Sequence, residues 1–360
     1  MKRLLDPDSL RALARGCAVL GAGGGGDTYL SLLQALQATE DFGQVRLVDL
    51  DELPDEALVM PCGGIGAPTV SIEKIENGNE GERLREQLEY LTGRPVAALM
   101  AGEIGGGNGV LPVTWCARMG LPLADADGMG RAFPEVPQVT MQLAGISPSP
   151  AVMTDERGNL IVFRTISGDW MERLERAAAV EFGGAACSTE FSLTAAQARG
   201  ATVRDSVSLA IRIGEAVIGA TGSPVAALAA EIGAFRLVTG KISDVERRTT
   251  SGFVRGSVVV EGLGEDAGRL IRLELQNENL VALERGRVLA SVPDLITVVD
   301  SETADAIATE RIRYGQRVTV IAFPCDPVWR TERGIAVTGP RSFGYDFDYQ
   351  PVEELAGARA

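Results

Sequence analysis

Four acidic side chains stand where glycine leaves room for a ligand: Asp27, Glu103, Asp125 and Asp127. Asp125 and Asp127 are two residues apart in Asp125-Ala126-Asp127-Gly128-Met129-Gly130-Arg131, after the apolar segment 120–124. On an extended segment that spacing puts both carboxylates on one side. Such a pair can share a proton or hold a hard cation, or else form a turn in which Asp bonds its own backbone. Glu103 and Asn108 share a second loop, 102–109, with five glycines among its eight residues. A third loop, Gly21-Ala22-Gly23-Gly24-Gly25-Gly26-Asp27, satisfies G-x-G-x-x-G, and Asp49 lies about twenty residues on. That is the outline of a dinucleotide site, with phosphate at a helix N-terminus and an acid on the ribose. Four consecutive glycines fit equally well a tight structural turn, or a nest of N–H groups for a smaller anionic or carbonyl group with Asp27 beside it.

What the chain lacks narrows the chemistry further. There is no histidine among 360 residues. No Ser-His-Asp triad, imidazole proton shuttle or imidazole metal ligand is available. Cys17, Cys62, Cys116, Cys187 and Cys325 are scattered and form no C-x-x-C, so they outline neither a disulfide framework nor a zinc site. Cys62 and Cys187 lie next to glycine pairs and are open to either a nucleophilic role or that of small buried hydrophobes. The formal charge of −15 argues against nucleic acid and anionic membrane as partners. With no signal peptide and no apolar run of about 18 residues, the expected location is the cytoplasm.

These residues must be positioned by elements. Segments 18–20, 57–60 and 96–100 are short apolar runs that each lead into glycine, which predicts buried strands feeding loops at their carboxyl ends. Helical spacing over 9–15, 28–36 and 80–91 alternates with them. The expectation is an α/β N-terminal domain over 1–160 with a mixed or parallel sheet, its ligand site beyond the strand ends. Helical stretches at 169–182 and 205–220 then lead a β-rich C-terminal domain, 161–339, sandwich or barrel-like, with strands near 257–260, 271–275, 295–299 and 317–323. The tail, 340–360, carries Phe343, Tyr345, Phe347 and Tyr349 and is expected to pack back on the first domain. Gln276-Asn277-Glu278-Asn279 reads by default as a solvated loop. The site is expected in the cleft between the two domains.

Several runs together resemble the S-methyl-thiohydantoin desulfurase-like family, which is often encoded beside hydantoinases. They are Leu20 to Asp27, Gly66-Ala67-Pro68-Thr69-Val70 with Glu73-Lys74, Glu103 with Gly105-Gly106 and Asn108, Gly120-Leu121-Pro122, Asp125 to Pro134, Gln276 to Asn279, and Gly339-Pro340-Arg341 with Phe343-Gly344. The resemblance implies an α/β domain followed by a β-rich domain. It also implies hydrolysis of a small heterocyclic substrate, in which water replaces a methylthio group to leave a hydantoin and methanethiol. On that footing Asp125, Asp127 and Glu103 are the expected catalytic groups. Gly23, Gly24, Gly25, Gly26, Asp27, Asn108, Arg131 and Glu73 are expected to bind substrate. The resemblance fixes no cofactor; a divalent metal, if one binds, would take oxygen ligands from Asp27, Glu103, Asp125 and Asp127. A homo-oligomer is expected. The competing functions are a non-catalytic ligand-binding or assembly subunit of a hydantoinase-type system, and a nucleotide-dependent enzyme using the first glycine loop.

Overall fold

The structure, a computed structural model, describes residues 3–67, 70, 73–250 and 253–357. Pro68 and Thr69 of the family-like run lie outside the described residues. The first layer contains β1 (Arg3–Leu5), β2 (Val45–Val48), β3 (Leu58–Gly66), β4 (Val96–Ala101), β5 (Leu123–Asp127), β6 (Ala151–Thr154), β7 (Leu160–Phe163) and β8 (Ala185–Thr189), with short β9 (Leu193–Thr194) and β10 (Val203–Arg204). They form one sheet in the order β1-β2-β5-β4-β3-β8-β6-β7, with β10 on β5 and β9 on β3. The centre, β2-β5-β4-β3, is parallel, and both flanks are antiparallel. Helices cover the sheet, so β4 is almost wholly buried, which is why it reads as an unbroken apolar run.

The helices are α1 (Pro7–Leu20), α2 (Thr28–Phe42), α3 (Glu80–Thr92), α4 (Leu111–Met119), α5 (Thr140–Leu143), α6 (Gly168–Glu181), α7 (Ala195–Ala201), α8 (Ser206–Ile218) and α9 (Pro224–Ile232). Segment 18–20, expected as a strand, is the last turn of α1. Three apolar residues do not outvote an amphipathic helix in which Leu10, Leu13, Cys17 and Leu20 already bury one face, entered through an Asp6 cap and Pro7. Helix α1 crosses α8 at very close range. A Cβ on Gly16 would sit 1.8 Å from the Ala210 carbonyl oxygen, and one on Gly214 would sit 1.9 Å from that of Ala12. Helices α6 and α8, grouped by sequence with the strands that follow, pack on the first layer.

The second sheet is wholly antiparallel. It comprises β11 (Phe235–Thr250), β12 (Phe253–Gly262), β13 (Leu270–Gln276), β14 (Glu278–Glu284), β15 (Arg287–Ser291), β16 (Leu295–Asp300) and β17 (Arg317–Phe323), ordered β15-β14-β13-β12-β11-β17-β16. It curls into a half-barrel that brings β14 against β16. Its apolar faces, among them Val258, Val260, Leu273, Val298 and Val320, enclose a separate core. Helices α10 (Glu332–Thr338) and α11 (Val352–Gly357) close the chain. The tail does not return to the first layer as expected. Tyr345 and Phe347 pack on Leu280, Val281 and Val292, and Val352 enters the second core; Phe343 alone also touches the first. The apolar outer side of β14 is the nearest uncovered surface, and the tail covers it.

The layers are stitched at the first glycine loop. The Asn279 backbone and side-chain N–H groups both donate to the Ala22 carbonyl, at 2.8 and 2.9 Å. Thr309 donates its N–H to the Gly23 carbonyl at 2.9 Å, and the Thr297 hydroxyl donates to that of Val19 at 2.9 Å. Among the described residues no helix is long and apolar enough to cross a membrane.

Candidate active site

Glu103 leaves the sheet two residues beyond β4. The Gly102 N–H donates to the Cys62 carbonyl at 2.9 Å, prolonging the β3–β4 ladder and fixing where Glu103 emerges. Asn108 locks the side chain. Its Nδ2 donates to Glu103 Oε1 at 2.6 Å and to the Gly64 carbonyl at 3.0 Å, while its Oδ1 accepts the Gly64 N–H at 2.7 Å. Both amide hydrogens are then committed, and Glu103 Oε2 has no partner. Glycine at 64 permits the approach, since a Cβ there would lie 3.1 Å from Asn108 Oδ1.

Burial pushes the Glu103 carboxyl up to about 8; the Asn108 bond, the Phe133 backbone N–H and the charge of Arg131 offset this only in part. It therefore carries a proton at neutral pH. Because Oε1 accepts from Asn108, that proton sits on Oε2. In a chain without histidine, this is a proton donor poised near physiological pH.

A second acid comes from the other layer. Glu278, at the head of β14, is 2% exposed, and its Oε2 is also unpartnered. Burial and the nearby Glu103 raise its carboxyl well above the usual range, against the pull of Arg131. Its other oxygen packs under the first glycine loop, where a Cβ on Gly24 would sit 1.9 Å from Oε1. Gly23 is likewise closed off by Asn279 and Thr309, and Gly25 by the Gly105 carbonyl. Only Gly26, with φ of +81°, has open space before it. The loop is thus a packed crossing of three segments, entered from α1 rather than from the strand that a dinucleotide fingerprint requires. Asp49, the expected ribose ligand, caps a short turn and pairs with Arg204 outside the cavity.

These groups surround a cavity of about 180 Å³ at the junction of the layers, roughly ten times what one water requires. Gly25, Gly26, Asp27, Glu103 and Asn108 all line it. Asp27 caps α2 by accepting the Tyr29 N–H at 2.9 Å and pairs with Arg311 at 2.7 Å across the layers. Ser188 on β8 and Glu190 just beyond it also line the cavity.

The remaining expected residues stand elsewhere. Asp127 is buried behind the wall, where its Oδ2 accepts the N–H groups of Ile104, Met129 and Gly130 at 2.8–2.9 Å. It holds the Glu103 loop against the 128–130 turn. Asp125 accepts the Ser208 N–H at 2.9 Å and the Ser208 hydroxyl, at the start of α8. The two carboxylates do leave an extended strand, but they meet backbone and α8 rather than the cavity. Arg131 is buried, donating to the carbonyls of Ala132, Pro293 and Asp294 and lying over the Phe133 ring. It serves as a countercharge behind Glu103 and Glu278, not as part of the lining. Glu73 is exposed on a turn outside the cavity. Asp27, Glu103, Asp125 and Asp127 therefore do not form the expected oxygen cage, and among the described residues no acidic or cysteine cluster is arranged to hold a metal ion.

Sequence reasoning missed Glu278, Ser188, Glu190 and Arg311. For Glu278 a signal existed: four polar residues directly after an amphipathic strand. They are not a solvated loop, since all four are buried. All five cysteines are buried and free, and burial raises the thiols of Cys62 and Cys187, away from nucleophilic behaviour.

The fold and cavity define a two-layer protein in which an α/β sheet and a curled antiparallel sheet close over one acid-lined chamber. The sequence matches the description "S-Me-THD-like, N-terminal domain" over residues 8–165 and "S-Me-THD-like, C-terminal domain" over 166–352. The chain belongs to this S-methyl-thiohydantoin desulfurase-like family. No curated protein matches the chain. Among solved structures, a protein from Chromobacterium violaceum superposes with a TM-score of 0.80 at 24% identity, covering 97% of this chain and all of that one. At that identity the likeness is one of fold.

Proposed function

We propose that this cavity hydrolyses an S-methylated thiohydantoin. The water oxygen bonds to the ring carbon that carries sulfur, the carbon–sulfur bond breaks, and the carbon becomes a hydantoin carbonyl. Of the two water protons, one ends on a ring nitrogen and the other on methanethiol. The observation that carries this reading is Glu103: a carboxyl protonated at neutral pH, one oxygen held by Asn108 and the other without a partner, in the wall of a glycine-lined chamber. Protonating the ring nitrogen draws electrons from the amidine-like carbon and makes it attackable by water. Asn108 is the positioning residue that keeps the Glu103 proton on Oε2. Arg131 and Arg311 supply fixed positive charge behind and beside the acids.

The test is thiol release from an S-methylated thiohydantoin, read with a colorimetric thiol reagent. The protein's own thiols are buried and give little background. Release by the wild type, lost in Glu103→Gln, supports the reading. Binding of the ring with no thiol released would favour a non-catalytic binding subunit instead.

A further inference from the structure

Helix α6 carries an anomaly. Its buried stripe runs Met171, Glu175, Ala179 at four-residue spacing, so a glutamate occupies the middle of an apolar face. Glu175 is 0% exposed, and neither carboxylate oxygen meets a conventional donor. What it meets is the carboxyl of Glu190. Two ionised carboxylates offer only acceptors, so the contact exists only with a proton between them. Glu190 has a further bond from Ser188 and lines the cavity. The surrounding titratable groups are Glu172 and Arg176 on α6, which pair with each other at 2.8 Å, and the neutral Cys62 thiol on β3.

The sheet register places this pair opposite Glu103. Ala101 is level with Cys62 on one side of β3, and Ser188 is level with Gly63 on the other. Because β4 runs parallel to β3 and β8 antiparallel, Glu103 lies two residues past its anchor, level with Gly64, and Glu190 two past its own, level with Pro61, so their backbones stand ~14 Å apart across β3. Both acids line the same cavity of about 180 Å³.

We propose that Glu190 is the catalytic base of the site, taking the proton from the attacking water, and that Glu175 is a protonated positioning residue that holds Glu190 in its carboxylate form by hydrogen bonding. This rests on the hydrolytic reading above. Burial and the acidic neighbours raise both carboxyls, so the pair shares a proton; Ser188 donates to Glu190 while Glu175 has no donor, which places that proton on Glu175. The acid, Glu103, and the base, Glu190, then line one cavity from the two sides of β3, each in its working form.

The experiment follows thiol release against pH for the wild type, Glu190→Gln, Glu175→Gln and Glu175→Leu, together with 13C NMR titration of the glutamate carboxyls. Glu190→Gln should lose about 100-fold or more in kcat while still binding the hydantoin product. Glu175→Gln, which donates an N–H in place of the O–H, should stay within about three-fold of wild type with its acid limb unmoved. Glu175→Leu removes the donor, so its acid limb should move up by about one pH unit or more, with rate recovering at higher pH. A buried glutamate of merely structural value would leave that limb in place. Wild-type turnover in Glu190→Gln, or an unmoved limb in Glu175→Leu, overturns the proposal. Should the wild type release no thiol, the desulfurase reading fails separately, and the NMR titration decides the pair. A Glu190 titration raised by Leu but not by Gln at 175 upholds it; identical titrations in the two variants overturn it.

Discussion

Replacing Glu103 with Gln separates a working acid from a structural one, because the two roles predict opposite signs for stability. Gln keeps the shape: its Oε1 accepts the Asn108 amide, and its amide nitrogen stands where the protonated Oε2 now stands. The native carboxyl must take up a proton to fold, since burial holds it at about 8 against an ordinary 4.5. A carboxyl raised in the folded state destabilises the fold progressively as pH rises from the unfolded to the folded value, after which the effect levels off. Two-state linkage gives a penalty of about 1 kcal/mol at pH 5, about 3 kcal/mol at pH 7 and about 4 kcal/mol at pH 8. Gln carries no such penalty. The stability difference between Glu103→Gln and wild type, from urea midpoints at each pH, should therefore grow in the variant's favour by about 3 kcal/mol from pH 5 to 8. Thiol release should meanwhile fall by about 100-fold or more. A difference flat across that pH range would refute the buried, protonated Glu103. A growing difference with unchanged turnover would keep the burial and remove the acid from the mechanism.

Four further outcomes follow from the same geometry. Turnover should decline as pH rises through about 8, where Glu103 loses its proton, and a pH–rate profile rising through that value would contradict its role as donor. Asp127→Asn weakens the three N–H bonds that seat the Glu103 loop but also removes a carboxyl that burial raises to about 6, so any loss in denaturant melts should be largest near pH 4 and shrink as pH rises past 6, with activity per folded molecule largely retained. Gly24→Ala drives a Cβ into the Glu278 carboxyl; it should destabilise by about 1–3 kcal/mol and lower turnover, and a wild-type melt would show the loop to be looser than described. Alkylation of the folded protein by iodoacetamide should be slow and leave turnover intact, because all five cysteines are buried, and rapid stoichiometric inactivation would reopen a thiol mechanism.

Much of the layering could be read from the sequence because burial writes itself into residue order. Segments 57–60, 96–100 and 120–124 fall in or beside β3, β4 and β5, since strands covered on both faces tolerate little but apolar residues. Alternation over 271–275 likewise marked β13, which has one wet face. Segment 18–20 failed because a three-residue apolar run has no period of its own, and the helix already under way at Leu10 decided it. The tail failed for a different reason. Its aromatic residues announce that they must be covered but not which surface is short of cover, and that surface belongs to β14.

The site divides along the same line. Glu103 and Asn108 were legible because glycine on both sides marks backbone that must approach something closely, and here that is Gly64 and the cavity. Asp125 and Asp127 carried an equally suggestive pattern, yet the N–H groups of Met129 and Gly130, and those of Ile104 and Ser208 from other segments, use their oxygens first. Local spacing cannot tell a carboxylate that organises backbone from one that faces a ligand. Glu190 was invisible, and Glu278 was read only as part of a polar loop, for a more basic reason: each gains its property from groups far along the chain, Glu175 in one case and Glu103 with Arg131 in the other. A histidine-free chain that needs proton donors and acceptors near pH 7 must shift carboxyls upward, and burial against other acids is the available means. That requirement can be stated from composition alone. Which glutamates meet it is settled only when β3 brings the ends of β4 and β8 to either side of one glycine pair and β14 closes over them.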